Sequence, residues 1–240
     1  ISSFSMNIGV AEVELLVRVI PLAIGASFTP SLLGLQLLST SSSKWIRRSI
    51  AVATGSGSAF LLACILLTAG FATLPKPAEH SPDIIGGIVW STAAVVLTGI
   101  AVWLFIPHPD LAQKAEQGLT SRIAKAKTVT FFAFAFALSI KDITSFAMLV
   151  PAIHDVTAAD VPWWLQLPTV LLVYIVAMVP VLLPPLWRLF RGEKGNVQLT
   201  NLFRFTMDHQ FQILGVIAAI FAVYCTLIAI GPNEFALISW

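Results

Sequence analysis

Six long apolar stretches divide the chain, and each is long enough to cross a lipid bilayer as a helix. They cover residues 8–39, 45–74, 83–106, 128–153, 161–189 and 207–231, with polar or proline-containing connections between them. A transmembrane helix needs about 20 predominantly apolar residues. Because a backbone in hydrocarbon must satisfy its own hydrogen bonds, such stretches predict helices. The sequence therefore predicts an all-α membrane protein with six transmembrane helices.

The composition argues against a soluble globular domain. Only 11% of the residues are charged and 57% are hydrophobic, whereas soluble domains carry about 25% charged residues. Residues 1–17 contain two acids and neither Lys nor Arg, so no cleavable signal is apparent and we expect the first span to be retained. The two cysteines, Cys64 and Cys225, lie alone in apolar stretches and are interpreted as packing residues.

The charges in the connections alternate between basic and acidic. The first, third and fifth connections carry Lys and Arg clusters: Lys44, Arg47, Arg48; Lys114, Arg122, Lys125, Lys127; Arg188, Arg191, Lys194, Arg204. The second and fourth are mainly acidic, with Glu79, Asp83, Asp155 and Asp160 against Lys76. Basic connections stay on the cytoplasmic side of a membrane. The pattern predicts a multi-pass membrane protein with both termini outside.

The chain is predicted to consist of two three-helix halves of inverted topology. Residues 1–106 and 128–240 form the halves, and residues 107–127 form a cytoplasmic linker in which Asp110 could cap a short helix. Aligning Ser27 with Ser139 places Thr29-Pro30 of the first half opposite Lys141-Asp142 of the second. Polar or interrupted segments at corresponding positions of two halves point to a transporter binding site.

Lys141 and Asp142 are adjacent charges within an apolar run of 26 residues, Thr128 to Ile153. Near the bilayer midplane each charge costs at least ~2.5–3.5 kcal/mol, and such residues usually mark substrate or ion pathways. On a continuous helix the two side chains would point about 100° apart, so each needs its own partner. The alternative is a pair of charges neutralised by neighbouring helices without a role in transport.

Span one carries a second polar segment around Pro30. Proline cannot bond to the carbonyl four residues back, which is Ala26, so the helix should be kinked or broken there. Either this is an ordinary proline kink, or the hydroxyls beside it contact a substrate. The predicted substrate-binding residues are Lys141, Asp142, Ser139, Ser27, Thr29 and Pro30.

Two glycines in span two predict close helix packing, and two prolines in span five predict an interruption of that helix. Gly55 and Gly57 would let span two approach span one closely. Pro180 and Pro184 would interrupt the inner half of span five as a hinge or as a static kink.

Four residues are candidates for coupling transport to protons: Asp142, Asp208, His209 and Glu14. A His beside a carboxylate can titrate near neutral pH, although Asp208-His209 could equally be a solvated helix start. Glu14 lies four residues before Arg18 and could pair with it near the outer interface.

The plan of the chain resembles the lysine exporter (LysE) superfamily, and most closely the peptidoglycolipid addressing protein (GAP) family of actinobacteria. The matching feature is Gly25-Ala26-Ser27-Phe28-Thr29-Pro30 followed by Gly55 and Gly57. In span four the family typically has Asn-Pro-Lys, whereas this chain has Ser139-Ile140-Lys141. The resemblance implies six helices and a role in export of cell-envelope lipids.

The leading hypothesis is a plasma-membrane exporter or flippase for a small polar or amphipathic, lipid-like substrate, coupled to protons or ions. Its expected partners are membrane lipids and that substrate, with no cofactor, metal or nucleic acid, because no corresponding motif is present. The alternatives are a membrane-embedded enzyme acting on lipid or isoprenoid substrates, for which no catalytic motif is found, and a non-transporting assembly partner. Whether the chain forms a homo-oligomer is left open.

Overall fold

The computed structural model describes residues 2–74, 83–106, 126–159 and 161–230, and every regular element among them is a helix. The helices are α1 Ser2–Ser27, α2 Pro30–Thr40, α3 Trp45–Ala72, α4 Ile84–Phe105, α5 Thr128–Lys141, α6 Ile143–Ala158, α7 Trp163–Asp208 and α8 Gln210–Ile230. The predicted all-helical class is confirmed. The linker helix expected at Asp110 lies outside the described residues.

Four helices are long and apolar enough to cross a membrane by themselves. These are α3, α4, α8 and the part of α7 from Trp163 to Gly195. Two pairs meet the same criterion only together: Leu15–Ser27 with α2, bent by 58°, and α5 with α6, bent by 65°. The described chain thus has four to six candidate spans, and six if each bent pair is one span. The predicted orientation stays a prediction.

The order of elements repeats along the chain. A helix broken in two is followed by two unbroken candidate spans, first as α1–α2, α3 and α4, and then as α5–α6, α7 and α8. The most extensive helix contacts join the two series. They are those of α4 with α8, α3 with α5, α1 with α6 and α2 with α7. The inverted relation between the halves stays a prediction.

The buried core lies between these paired helices. Its fully buried side chains come from both series and include Val19, Leu22, Leu35, Leu97, Met148, Leu149 and Ile153. Cys64 of α3 and Cys225 of α8 are free thiols buried in the same core. Their interpretation as apolar packing residues is therefore confirmed.

Gly55 and Gly57 permit close packing of α3, but against different partners from the one expected. A Cβ atom at Gly55 would collide with the backbone carbonyl of Phe132 in α5, and one at Gly57 would lie 2.9 Å from the Tyr174 hydroxyl in α7. The expected approach to span one is wrong for both glycines. The two glycines identify a face of α3 that can approach another helix closely, but the arrangement of the helices decides which helix packs against it.

The long helix α7 continues through its prolines. Pro168, Pro180, Pro184 and Pro185 all lie inside it, so the helix is not unwound at Pro180 or Pro184, while a static kink there stays a prediction. Membrane helices tolerate proline where neighbouring groups satisfy the freed backbone. The break comes instead at Gly192, whose φ of 57° is readily adopted only by glycine. Beyond it the chain is helical to Asp208, in the region expected to be a connection.

Candidate functional site

The first span is broken at Phe28 and Thr29. The α1 helix ends at Ser27, Thr29 takes an extended conformation with φ −116° and ψ 95°, and Pro30 begins α2. Proline suits the first position of a helix because its missing N–H would be unbonded there anyway. Ser27 Oγ donates to the Ile24 carbonyl at 2.6 Å. The predicted kink or break in span one is confirmed.

The second break lies at Asp142. This residue has φ −79° and ψ 87°, and its Oδ1 accepts hydrogen bonds from the backbone N–H groups of Thr144 at 3.1 Å and Ser145 at 3.3 Å. Asp142 is therefore the N-cap of α6, a position that carboxylates favour strongly. The sequence left open whether span four is broken, and the structure breaks it here, because α5 ends at Lys141 and Asp142 caps a new helix.

The two breaks contact each other through three polar side chains. Thr29 Oγ1 donates to Asp142 Oδ2 at 2.5 Å. Ser145 Oγ lies 2.7 Å from Asp142 Oδ2, 2.7 Å from the Ala26 carbonyl oxygen and 3.1 Å from Thr29 Oγ1. The carbonyl that Pro30 leaves without its helical donor is thus satisfied by a hydroxyl from the other series of helices. We call Thr29, Asp142 and Ser145 the break cluster.

The break cluster has more short oxygen contacts than hydroxyl hydrogens. Ser145 Oγ carries one hydrogen, which it can donate either to the Ala26 carbonyl or to Asp142 Oδ2 but not to both. Thr29 supplies the only other hydroxyl hydrogen in the cluster, and it donates to Asp142. A proton on Asp142 would let all three short contacts be hydrogen bonds at once.

The break cluster includes one residue that sequence reasoning missed. The alignment of the halves placed Thr29-Pro30 opposite Lys141-Asp142, and Thr29 does contact Asp142. Ser145 was not selected. An Asp directly before a run of apolar residues is a helix-start signal, and recognising it inside the apolar run would have found the break, whereas nothing in the sequence singles out Ser145.

Lys141 and Ser139 lie in the last turn of α5. Lys141 is exposed and, among the residues that the structure describes, has no hydrogen-bond or ion-pair partner. A cation at this position complements the negative end of the helix dipole. Ser139 is buried, and its Oγ has no hydrogen-bond partner in the described chain. Neither side chain joins the break cluster.

The other proton-coupling candidates lie apart from the break cluster. Asp208 and His209 are exposed between α7 and α8, where the His209 ring stacks on Phe205 with centroids 4.7 Å apart. His209 Nδ1 lies 3.0 Å from the Phe205 carbonyl. Glu14 lies in α1, and its side chain is outside the described part of the structure. Their coupling roles stay predictions.

A cavity of about 860 Å³ opens beside the break in span one. Ser27, Thr29 and Pro30 form part of its wall. The remaining wall is largely apolar and comes from the first span, α7 and the segment after Gly192, with Phe28, Leu33, Val176, Leu183, Leu202 and Phe205 as representative side chains. Cavities of this size and apolar character suit hydrocarbon groups, while a few polar atoms fix orientation.

A comparison with protein families supplies an independent identification. A family model described as Sap, sulfolipid-1-addressing protein, matches residues 19–231. The chain belongs to the sulfolipid-1-addressing protein family. The match covers both helix breaks and the cavity, and it confirms the resemblance to the glycolipid addressing proteins. Membership in this family implies a membrane protein with a role in lipid addressing. Membership in the wider LysE superfamily stays a prediction.

No curated protein and no solved structure matches the chain.

Proposed function

We propose that this sulfolipid-1-addressing family member is a transporter that moves an amphipathic lipid across the bacterial plasma membrane, as an exporter or flippase. The observation that carries the proposal is the contact of two broken spans at the break cluster, directly beside a large apolar cavity. Broken helices in corresponding positions of two halves are typical of transporter sites. The family description supports a sulfolipid as the substrate.

The cavity has the properties that a lipid substrate requires. Its apolar wall suits acyl chains, and the hydroxyls of Ser27 and Thr29 at its edge can hydrogen-bond a polar head group. Lys141 follows in the last turn of α5, immediately before the second break, as an exposed cation able to attract a sulfate or another anionic group. The proposed binding residues are therefore Ser27, Thr29 and Pro30 from one break and Lys141 and Asp142 from the other.

The break cluster supplies contacts that can change during a transport cycle. Its hydrogen bonds join residues more than a hundred positions apart in sequence, Thr29 to Asp142 and Ser145 to Ala26. A head group that competes for Thr29 would weaken the contact between the halves and favour a second arrangement of them. A ligand can shift such an equilibrium only by its differential affinity for the two states.

A proton is the proposed coupling ion, with Asp142 as the first candidate to carry it. With a proton on Asp142, every short contact of the break cluster can be a hydrogen bond. After proton release, Ser145 can donate to only one of its two acceptors, the Ala26 carbonyl or Asp142 Oδ2. The sequence contains no nucleotide-binding motif that would indicate a different energy source.

A cavity-blocking variant tests the proposal. Val176 lines the cavity, whereas Val95 is 71% exposed on α4 and does not. Val176→Trp should abolish movement of a sulfated glycolipid with a fluorescent acyl chain between the leaflets of reconstituted vesicles, because the indole fills space meant for hydrocarbon. Val95→Trp makes the same change outside the cavity and should transport like the wild type. The measurement is loss of fluorescence to an impermeant quencher.

Two results would overturn the proposal. One is wild-type movement of the labelled lipid at the rate of protein-free vesicles. The other is full transport by Val176→Trp in protein that remains monodisperse. If the wild type moves no lipid but a stable complex co-purifies from the native membrane, the assembly-partner hypothesis takes its place.

A further inference from the structure

A second polar cluster lies at the far end of α6 from the break cluster. His154 is buried, with 6% of its side chain exposed, and its Nδ1 lies 3.6 Å from Oδ1 of Asp155, whose side chain is 12% exposed. Trp90 of α4 donates its indole N–H to the same Oδ1 at 3.0 Å. We call His154, Asp155 and Trp90 the α6 pair site. It lies about 18 Å from Asp142 along α6, at a rise of ~1.5 Å per residue.

Two atoms of the α6 pair site have no hydrogen-bond partner among the described residues. They are Nδ1 of His154 and Oδ2 of Asp155, and both are buried. A distance of 3.6 Å between Nδ1 and Oδ1 is too long for a hydrogen bond. Buried polar atoms are nearly always satisfied in native proteins, so unpaired ones call for a functional explanation.

The surroundings of the α6 pair site bring in few other charges within the described chain. From α3, the Phe71 ring packs edge-on against His154 with centroids 5.1 Å apart. From α4, Asp83 and the His154 ring both lie next to Gly86. From α8, Tyr224 and Cys225 lie within electrostatic range of Asp155, and Arg18 of α1 lies within range of Tyr224.

These surroundings favour uptake of a proton. With a neutral imidazole, Asp155 would be a buried carboxylate with one unpaired oxygen and with Asp83 nearby. A proton added to the neutral ring makes the pair electrically neutral, and the cationic ring carries a hydrogen on both nitrogens, so that Nδ1 can donate toward Asp155 whichever tautomer was present before. Histidine is the side chain whose charge ordinarily changes between about pH 5 and pH 8.

The location of the α6 pair site indicates from which side of the membrane a proton reaches it. It lies where α3 ends and α4 begins, which is the end of the bundle that the charge pattern assigns to the outer side. The same helix begins at Asp142 of the break cluster. A change of charge at one end of α6 can therefore displace the helix that carries the contact between the breaks at its other end.

We infer that His154 and Asp155 form an outward-facing proton-binding site through which an external proton drives the movement of α6 during lipid transport. The inference rests on the proposed transport function and adds to it the place where the coupling proton enters. Asp142, Asp208 and His209, three of the coupling candidates chosen from the sequence, lie outside this site.

Nuclear magnetic resonance of the imidazole nitrogens tests proton binding directly. The protein is labelled with ¹⁵N-histidine in lipid nanodiscs, and the His154→Gln variant assigns the His154 signals. In the wild type the His154 ring should take up a proton as the sample is brought from about pH 8 to about pH 5. In Asp155→Asn the ring should take up no proton over the same range, because the buried counter-charge is missing. A wild-type ring that stays neutral throughout, or one that behaves identically in Asp155→Asn, would overturn the inference.

Transport under an imposed proton gradient gives the second readout. A gradient should accelerate movement of the fluorescent sulfated glycolipid by the wild type and by His108→Gln, a matched change in the third connection. His154→Gln should lose this acceleration while binding the labelled lipid as tightly as the wild type. Retained acceleration in His154→Gln would contradict the inference.

The two readouts separate this inference from the proposed function. Proton uptake by His154 that depends on Asp155 supports the proton site even if the wild type moves no lipid, in which case the transport proposal alone fails. If the wild type moves lipid but the His154 imidazole never takes up a proton, the proton site fails and the transport proposal stands.

Discussion

Asp142 has two structural roles, which cannot be told apart from the residues around it in the sequence. Its Oδ1 caps α6 by accepting two backbone N–H groups, and its Oδ2 accepts the Thr29 hydroxyl from the other break. An N-cap contributes about 1 kcal/mol, and a hydrogen bond to a charged group contributes about 1.5–3 kcal/mol. Among the described residues, Asp83 caps α4 in the same way, through the Gly86 N–H at 2.8 Å, and accepts no side-chain hydrogen bond from another helix. Comparing the two residues isolates the link between the breaks.

Asp142→Ala should lower the free energy of unfolding by about 2 kcal/mol or more, because it removes the cap and leaves the Thr29 hydroxyl without its acceptor. For a chain of this size the melting temperature should fall by roughly 4–8 °C. Asp142→Asn should lose less stability than Asp142→Ala, because its single amide oxygen can still cap α6 while its NH2 group can donate to Thr29 Oγ1. Thermal unfolding of purified protein in one detergent measures all three.

The matched control for this prediction is Asp83→Ala, which should lose about 1 kcal/mol, the value of a cap alone. Equal losses for Asp83→Ala and Asp142→Ala would mean that the Thr29 contact adds nothing to stability. If Asp142→Asn folds stably but no longer transports lipid, transport requires an ionisable side chain at position 142, as expected for a residue that couples transport to protons.

At the scale of elements, α3 is the helix most closely packed between others. Gly55 meets the backbone of Phe132 in α5, and Gly57 meets Tyr174 and Met178 of α7. Small residues let membrane helices approach until their backbones are in van der Waals contact. Gly70 lies on the same helix but faces open space, so it provides an internal comparison.

Gly55→Ala should destabilise the protein by about 1–3 kcal/mol, because the new methyl group would push α3 and α5 apart. Gly70→Ala should be neutral or stabilising by up to about 1 kcal/mol, since alanine has the higher helix propensity. Chemical unfolding followed by circular dichroism measures both. Wild-type stability in Gly55→Ala would show that the packing of α3 on α5 is looser than described.

At the scale of the whole molecule, the two series of helices pack as partners of each other. The core is shared, and the most extensive helix contacts, such as α4 with α8 and α3 with α5, cross between the series. Neither series therefore buries its apolar residues by itself. The basic connections give the assembled bundle a predicted orientation, with the connection before Trp45 inside and the connection after Ala72 outside.

Cysteine labelling in intact cells tests this orientation. In a chain with Cys64→Ser and Cys225→Ser, an impermeant maleimide should label Ala78→Cys in the second connection but not Ser43→Cys in the first. The physical reason is that Lys and Arg clusters are retained on the cytoplasmic side. Permeabilised cells should label both positions, which controls for reactivity. Labelling of Ser43→Cys alone in intact cells would reverse the predicted topology.

The sequence by itself determined the class of the protein and the positions of its polar interruptions. Apolar length requires helices in a membrane, Pro30 requires a break in span one because it lacks an N–H, and the cost of intramembrane charge singled out Lys141 and Asp142. The alignment of the halves also placed the Thr29-Pro30 segment opposite Lys141-Asp142, and Thr29 contacts Asp142. All of these follow from local chemistry or from a repeated pattern.

Only the tertiary structure decided which residues meet. Ser145 joins the break cluster, Gly55 packs on α5, and His154 with Asp155 is buried against Trp90, although these partners lie 65 or more positions apart in sequence. Apolar periodicity is weak in helices that are hydrophobic on all sides, so it does not say which faces pair. Asp142 was found as a costly charge, but its role as a cap and a link depends on the helix that begins there and on the hydroxyl that the other break brings to it.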